Sequence, residues 1–225
     1  MILKPTRFVR PNKKRYKNDL VKARSFVLRK IIIMDLLKNA ASAWEQLTKY
    51  EYDITYGYKN TLVNVCLSFE SREFYHLAGF HYMRDVVPYK YRSSKMLDHV
   101  LNNRVTFDMA KKAQSYNDMV YPRLKALENL KQELENDFFL YTYLPTVYGS
   151  FRTTIRADYI IKTQGDFMFI IKASVPANDD EFHCCSIFEQ GQRDYTENQQ
   201  RRTILKKERI YLPTQEKTIL FNKMT

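Results

Sequence analysis

Apolar residues follow two different periods along this chain. Ile33, Leu36, Leu37, Ala40, Ala41, Trp44 and Leu47 recur at three- and four-residue steps, the spacing of one face of an amphipathic helix. The run predicts a helix over roughly residues 19–49, beginning near Asp19. The period then drops to two. "EYDITYGY" puts Tyr52, Ile54, Tyr56 and Tyr58 on one side, and "TLVNVCLSFE" does the same with Val63, Val65, Leu67 and Phe69. Lys59 and Asn60 between them suit a hairpin by length, although they are not the ideal residues for its turn.

From Ser71 to Asp137 the pattern is helical again. "SREFYHLAGFHYMRDV" reads as a short helix or turn that Gly79 ends or kinks, and "SSKMLDHVLNN" and "FDMAKKAQSYNDM" as further short helices. Pro122 suits the first turn of a longer helix bearing Leu124, Leu127, Leu130 and Leu134. Glu133, Glu135 and Asp137 near its end oppose the helix dipole, so packing has to hold it. Strands resume in "FFLYTYL", "RADYIIKT", "FMFIIKASV", "FHCCSIF" and "TILKKERIYL", with "QGD" at 164–166 as a hairpin turn. There is no internal repeat and no long Gly/Ser linker. Strands at both ends with helices between them predict one α+β domain over residues 31–225.

Charge divides the chain unevenly. The net charge is +12, yet residues 1–30 hold eleven Lys/Arg against the single acid Asp19. A basic arm, including Arg10, Lys13, Lys14 and Arg15, therefore precedes a nearly neutral body; such an arm is a solvated tail or a grip for nucleic acid or an acidic partner. Three cysteines without CxxC or metal spacing point to reduced thiols, a cytosolic setting and no metal site. "FVLRKIIIMDLL" is interrupted by Arg29, Lys30 and Asp35, so it is neither a signal-peptide core nor a membrane span. No P-loop, GxGxxG, HExxH or GxSxG occurs, and no cofactor is expected.

Two stretches offer chemistry. His76 and His81 sit five residues apart in "FYHLAGFHY"; on a continuous helix that step leaves them about 140° apart, so at most one faces a site. His76 is the candidate acid or base, against the plain alternative of a packing histidine. His99 reads as a surface residue and His183 as an ordinary strand position. In "DYTENQ", Asp194, Thr196 and Asn198 are common cap and turn residues. Yet Tyr195, Thr196 and Gln199 also place neutral donors beside Arg201 and Arg202, a set able to orient a phosphodiester.

Taken in order, these segments resemble a known family. "YEYDITYGYKNTLVNVCLSFESREFYHLAGFHYMRDV", "FRTTIRADYIIKT", "FMFIIKASV" and "DYTENQQRRTILKKERI" are similar to the opening hairpin with its His-Leu-x-Gly segment, the middle hairpin and the closing motif of the fourth phage nuclease-like family, which is grouped with barnase, EndoU, colicin and RelE toxins. The likeness covers roughly residues 30–212 and leaves the basic arm outside. It implies an RNase/RelE-like fold, with N-terminal and central helices packed on a curved antiparallel sheet that carries the site. It also implies a metal-independent, toxin-like or mobile-element ribonuclease using 2′-OH attack on the adjacent phosphodiester. On that expectation His76 is the base or acid, and Tyr195 and Thr196 position or donate. Gln199 holds a base or phosphate, and Arg84 or Arg202 stabilises the developing charge. Arg201, Lys206, Lys207 and the arm residues would track RNA. RNA is the expected partner, with a neutralising antitoxin or another protein as a second, and no membrane. The alternative is a non-catalytic nucleic-acid- or protein-binding factor, antidefence or regulatory; a weaker one is a structural adaptor whose arm grips an acidic protein. A cleft uniting His76 with Tyr195 and Gln199 would favour the enzyme.

Overall fold

The computed structural model describes residues 35–92, 94–149, 151–174 and 180–224. The predicted start of the first helix and the arm residues Arg10, Lys13, Lys14 and Arg15 lie outside them. Within them, helix α1 (Leu36–Leu47) buries Leu36, Leu37, Ala40, Ala41, Trp44 and Leu47, the stripe read from the sequence. The Trp44 indole N–H donates to the Glu70 carbonyl at 3.0 Å, so its one polar atom is satisfied inside the core.

Strands β1 (Tyr50–Tyr58) and β2 (Thr61–Ser68) form the first hairpin. Lys59 and Asn60 both take positive φ, 48° and 62°, the left-handed pair that matches the twist of a two-residue hairpin. The Thr61 hydroxyl donates to the Tyr58 carbonyl at 2.7 Å and braces this turn without a glycine. The later strands are β3 (Phe139–Thr142), β4 (Tyr159–Lys162), β5 (Asp166–Lys172), β6 (Glu181–Glu189), β7 (Gln200–Tyr211) and β8 (Glu216–Asn222). Strand β8 has no counterpart in the sequence reading.

The expected curved antiparallel sheet is more curved than that: it closes. Strands pair in the order β1-β2-β6-β5-β4-β3-β7, and β7 pairs again with β1, giving a seven-stranded barrel with β8 hydrogen-bonded outside to β7. Closure depends on the length of β7. Its first residues, Gln200–Arg202, pair with β3, and from Thr203 onward it pairs with β1. One junction, β2 with β6, is parallel. Bulges in the β1–β7 and β5–β6 ladders bend the strands where the ring turns.

Among the described residues there are four further helices: α2 (Phe74–Leu77), α3 (Met96–Leu101), α4 (Phe107–Ala110) and α5 (Tyr121–Glu135). Strand β5 is apolar on both faces because both are covered. Met168 and Ile170 join the large core that includes α1 and α5, while Phe167 and Phe169 join Tyr143 and Ile160 in a second cluster. Tyr195 packs against that second cluster.

The acidic end of α5 is held by β7. Lys207, 3% exposed, donates its ammonium to the carbonyls of Leu134 at 2.9 Å and Asn136 at 2.5 Å. Arg209 and Lys131 both reach the Glu135 carboxylate, at 2.7 and 2.5 Å. Cations thus meet the orphan carbonyls and negative end of the helix that its own sequence leaves uncompensated. Lys207 is a buried helix cap, which removes it from the expected RNA track.

Candidate active site

Four residues of α2, a single left-handed glycine and a 3₁₀ turn place the histidines. Glu70 and Glu73 form a capping box around the turn that leads into α2. The helix ends at Leu77, and Gly79 turns the chain with φ +78° into the turn Phe80–Tyr82. A Cβ on Gly79 would meet Arg123 Cδ at 3.2 Å and the Met119 carbonyl at 3.4 Å, so glycine answers both a backbone and a packing demand. With the helix broken there, the 140° separation expected of a continuous helix does not apply. The His76 and His81 rings stack at 4.5 Å between centroids, 8° from parallel.

Arg123 enters from the first turn of α5, just after Pro122. Its guanidinium lies 5.4 Å from the Tyr82 ring centre and 5.5 Å from that of Phe188, and donates to the Met119 carbonyl at 3.3 Å. Loss of hydration, then the Arg123 charge, push the His76 imidazole below its ordinary value of 6.5, against the upward pull of a hydrogen bond to the Cys185 backbone. Burial, His76, Arg123 and Arg84 push His81 down to about 4. His81 Nδ1 is buried with no hydrogen-bond partner among the described residues, whereas His76 is exposed. Both rings are therefore neutral near pH 7, and His76 is the one open to a ligand.

Tyr195 completes the group. It interacts electrostatically with Arg123, and both line an open cleft of about 480 Å³ with Tyr82, Phe188, Arg152 and Arg193. Its ring is wedged among Phe167, Phe169 and Phe188 at centroid distances of 5.5, 5.3 and 5.3 Å. Arg123 thus links His76 on α2 to Tyr195 after β6. Arg84 is exposed, and its charge acts on His81.

The rest of "DYTENQ" shapes the loop. Asp194 Oδ1 accepts from the Thr196 N–H at 2.9 Å and its hydroxyl at 2.6 Å, while Lys162 reaches Thr196 at 3.3 Å. Burial would raise the Asp194 carboxyl, but the Thr196 bonds and Lys162 together outweigh it and hold the group below its usual range. Gln199 is 9% exposed, and its amide spends both ends on Leu144, accepting from the N–H at 2.8 Å and donating to the carbonyl at 2.9 Å. The amide is a backbone clamp, and the cleft lined by Tyr195 and Arg123 includes neither Gln199 nor His76 among its lining residues; His76 is connected to it only through the charge of Arg123.

Nearby cations have other contacts. Arg202 donates to the Thr142 hydroxyl at 2.7 Å and lies 4.3 Å from the Tyr58 ring centre. Arg201 covers Phe139 at 3.9 Å, and Lys206 pairs with Glu208 at 2.6 Å. His183, read as an ordinary strand position, pairs with Glu73 at 3.0 Å, and the His99 ring packs on Tyr91 at 4.9 Å.

Sequence reasoning missed Arg123, Tyr82 and the pairing of His81 with His76. For Arg123 a signal exists: a cation in the first turn of a helix with no acid there opposes the dipole and calls for another reason.

An α+β barrel with an arginine and a tyrosine lining an open cleft, and a neutral imidazole within reach of that arginine's charge, carries groups suited to phosphodiester chemistry. The family model described as phage-Barnase-EndoU-ColicinE5/D-RelE like nuclease 4 matches residues 36–223, and the chain belongs to that family. Membership implies a nucleic-acid substrate. No curated protein and no solved structure matches the chain. Among the described residues, no helix is long and apolar enough to cross a membrane.

Proposed function

We propose that this protein is a ribonuclease whose chemistry is centred on His76, Arg123 and Tyr195. The observation that carries the reading is the position of Arg123, which lines the cleft with Tyr195 and whose charge also acts on His76, outside the cleft's lining. In the proposed reaction, neutral His76 accepts the 2′-OH proton and the freed oxygen attacks the adjacent phosphorus. The bond to the 5′-oxygen breaks, leaving a 2′,3′-cyclic phosphate and a 5′-hydroxyl. The Arg123 guanidinium faces the charge that grows on the phosphoryl oxygens. Tyr195 donates a proton towards the 5′-oxygen, and the nearby arginine stabilises the phenolate until it is reprotonated.

The remaining candidates take supporting parts in this reading. Thr196 and Gln199 hold the loop that presents Tyr195, Arg84 tunes His81, and Arg201, Arg202 and Lys206 offer charge beyond the cleft. The mechanism draws on side chains alone. It is tested by incubating the purified protein with total RNA in EDTA and analysing the fragment ends. Cyclic 2′,3′-phosphate ends that form about 10²–10⁴-fold more slowly with His76→Ala support the reading. RNA that is bound but left intact would favour the non-catalytic binding factor.

A further inference from the structure

Residues 151–157 run beside the cleft without joining a ladder of the barrel, yet their burial alternates as in a strand. Phe151, Thr153, Ile155 and Ala157 are half-buried, while Arg152, Thr154 and Arg156 are exposed. The inward side is fixed by hydrogen bonds: Tyr143 donates its hydroxyl proton to the Ile155 carbonyl at 3.1 Å, and the Ile155 N–H donates to the Thr153 hydroxyl at 3.1 Å. This is an extended ribbon with arginines on its open side. At its start Phe151 stacks on Tyr148 at 4.5 Å and 22°, and meets the edge of Tyr195 at 5.1 Å. The Arg193 guanidinium lies 5.4 Å from the Phe151 ring centre. The cleft itself carries three arginines, Arg123, Arg152 and Arg193, against the acids Asp118 and Glu189.

We infer that this ribbon is a nucleobase subsite, in which the exposed Arg193 side chain swings outward from Phe151, an unpaired base of single-stranded RNA enters between them and stacks on the ring, and Arg152 and Arg156 take the flanking phosphates. The inference rests on the ribonuclease reading above and adds the class of substrate. An aromatic ring already backed by Tyr148 is immobilised, so little conformational freedom is lost when a base stacks on it. Arg193, once moved outward from the ring, covers the other face of the base as a second planar partner. A base inside a duplex has neighbours on both faces and cannot enter such a slot, whereas a splayed base can. Stacking tolerates any base, so the subsite selects strandedness more than sequence. Because Tyr195 touches Phe151 and lines the cleft, the stacked nucleotide lies next to the scissile phosphate.

The test uses the full chain and a fluorescent oligoribonucleotide, single-stranded or annealed to its complement. The single strand should be cleaved at least about tenfold faster than the duplex. Phe151→Leu should raise KM about tenfold, within the range expected for one stacked base, and leave kcat within about twofold. Arg193→Ala should raise KM in the same direction, and it decides the matter if Phe151→Leu does not fold. Equal cleavage of duplex and single strand, or unchanged KM in the folded variants, overturns the subsite while leaving the ribonuclease reading intact. If wild type cleaves neither RNA, the ribonuclease reading fails. The Kd for a 2′-O-methyl single strand then tests the subsite separately: about tenfold weaker binding by Phe151→Leu upholds it, and equal binding overturns it.

Discussion

The His76 and His81 rings lie face to face at 4.5 Å, 8° from parallel, although a regular helix would turn them away from each other. Gly79, between them, changes the direction of the chain, and the absence of its Cβ lets Arg123 approach. Two imidazoles and a guanidinium at close range disfavour one another's charge. Proton affinity at the histidine pair is therefore lowered by the path of the backbone as much as by the side chains.

This arrangement sets a pH response. His76 should titrate below 6.5 and His81 near 4 in a nuclear magnetic resonance titration of the folded protein. Arg123→Gln should raise both midpoints part of the way, since burial, the larger cause, remains. It should also slow cleavage about 10²–10³-fold and move the acid limb of the residual activity to higher pH. Unchanged midpoints in Arg123→Gln would show that the guanidinium does not tune the pair. The sign for stability is separate. Below about 6.5 the unfolded chain takes up a proton that folded His81 refuses, so stability should fall as pH drops from about 6.5 towards 4.

Within "DYTENQ", clamp and chemistry should separate by substitution. Gln199→Ala leaves the Leu144 N–H and carbonyl without their partner and should cost about 1–3 kcal/mol. Its cleavage rate per folded molecule should fall less than that of Tyr195→Phe, because the amide only positions the loop. Tyr195→Phe keeps the ring among Phe167, Phe169 and Phe188, so the melting temperature should hold while most activity is lost. Melting curves and single-turnover rates on the two variants decide this; a fully active Tyr195→Phe would rule the hydroxyl out of the chemistry.

Lys207→Met should destabilise by about 1–3 kcal/mol, because the last carbonyls of α5 lose a buried donor. RNA affinity and its salt dependence should not change, since the ammonium does not reach solvent. Denaturant unfolding and a salt titration of binding measure the two effects. A flatter salt dependence in the variant would return Lys207 to the nucleic-acid surface.

The pair of His183 with Glu73 fixes the turn that leads into α2, so its titration should reach the cleft. The Glu73 hydrogen bond, opposed by burial and helped by the charges of Glu73, Glu181 and Glu70, raises the His183 pKa above 6.5. A raised imidazole stabilises the fold fully below its unfolded value and loses that contribution as pH rises through the folded value. Glu73→Gln should therefore lower the melting temperature more at pH 6 than at pH 9. An equal loss at both would mean that the pair contributes through packing alone.

Local pattern determined much of this protein. The period of three and four in α1, the alternation in β1 and β2, Pro122 at the start of α5 and the turn at 164–166 follow from the geometry of side chains one turn or one pleat apart, which a linear sequence records. The α+β class was legible in the same way. Tertiary structure decided the rest. Closure of the barrel depends on one long strand pairing in succession with β3 and β1, partners separated from it by many residues. Strand β8 has little alternation of its own and exists as a strand through its pairing with β7. Lys206 and Lys207 are adjacent in sequence, yet the pleat sends one to Glu208 and the other into the carbonyls of α5. The role of Arg123 is not legible in the sequence because its partners, His76, Tyr82 and Tyr195, come from two distant segments. The charge and hydration that define an active group are properties of neighbours in space, and only the folded chain supplies those neighbours.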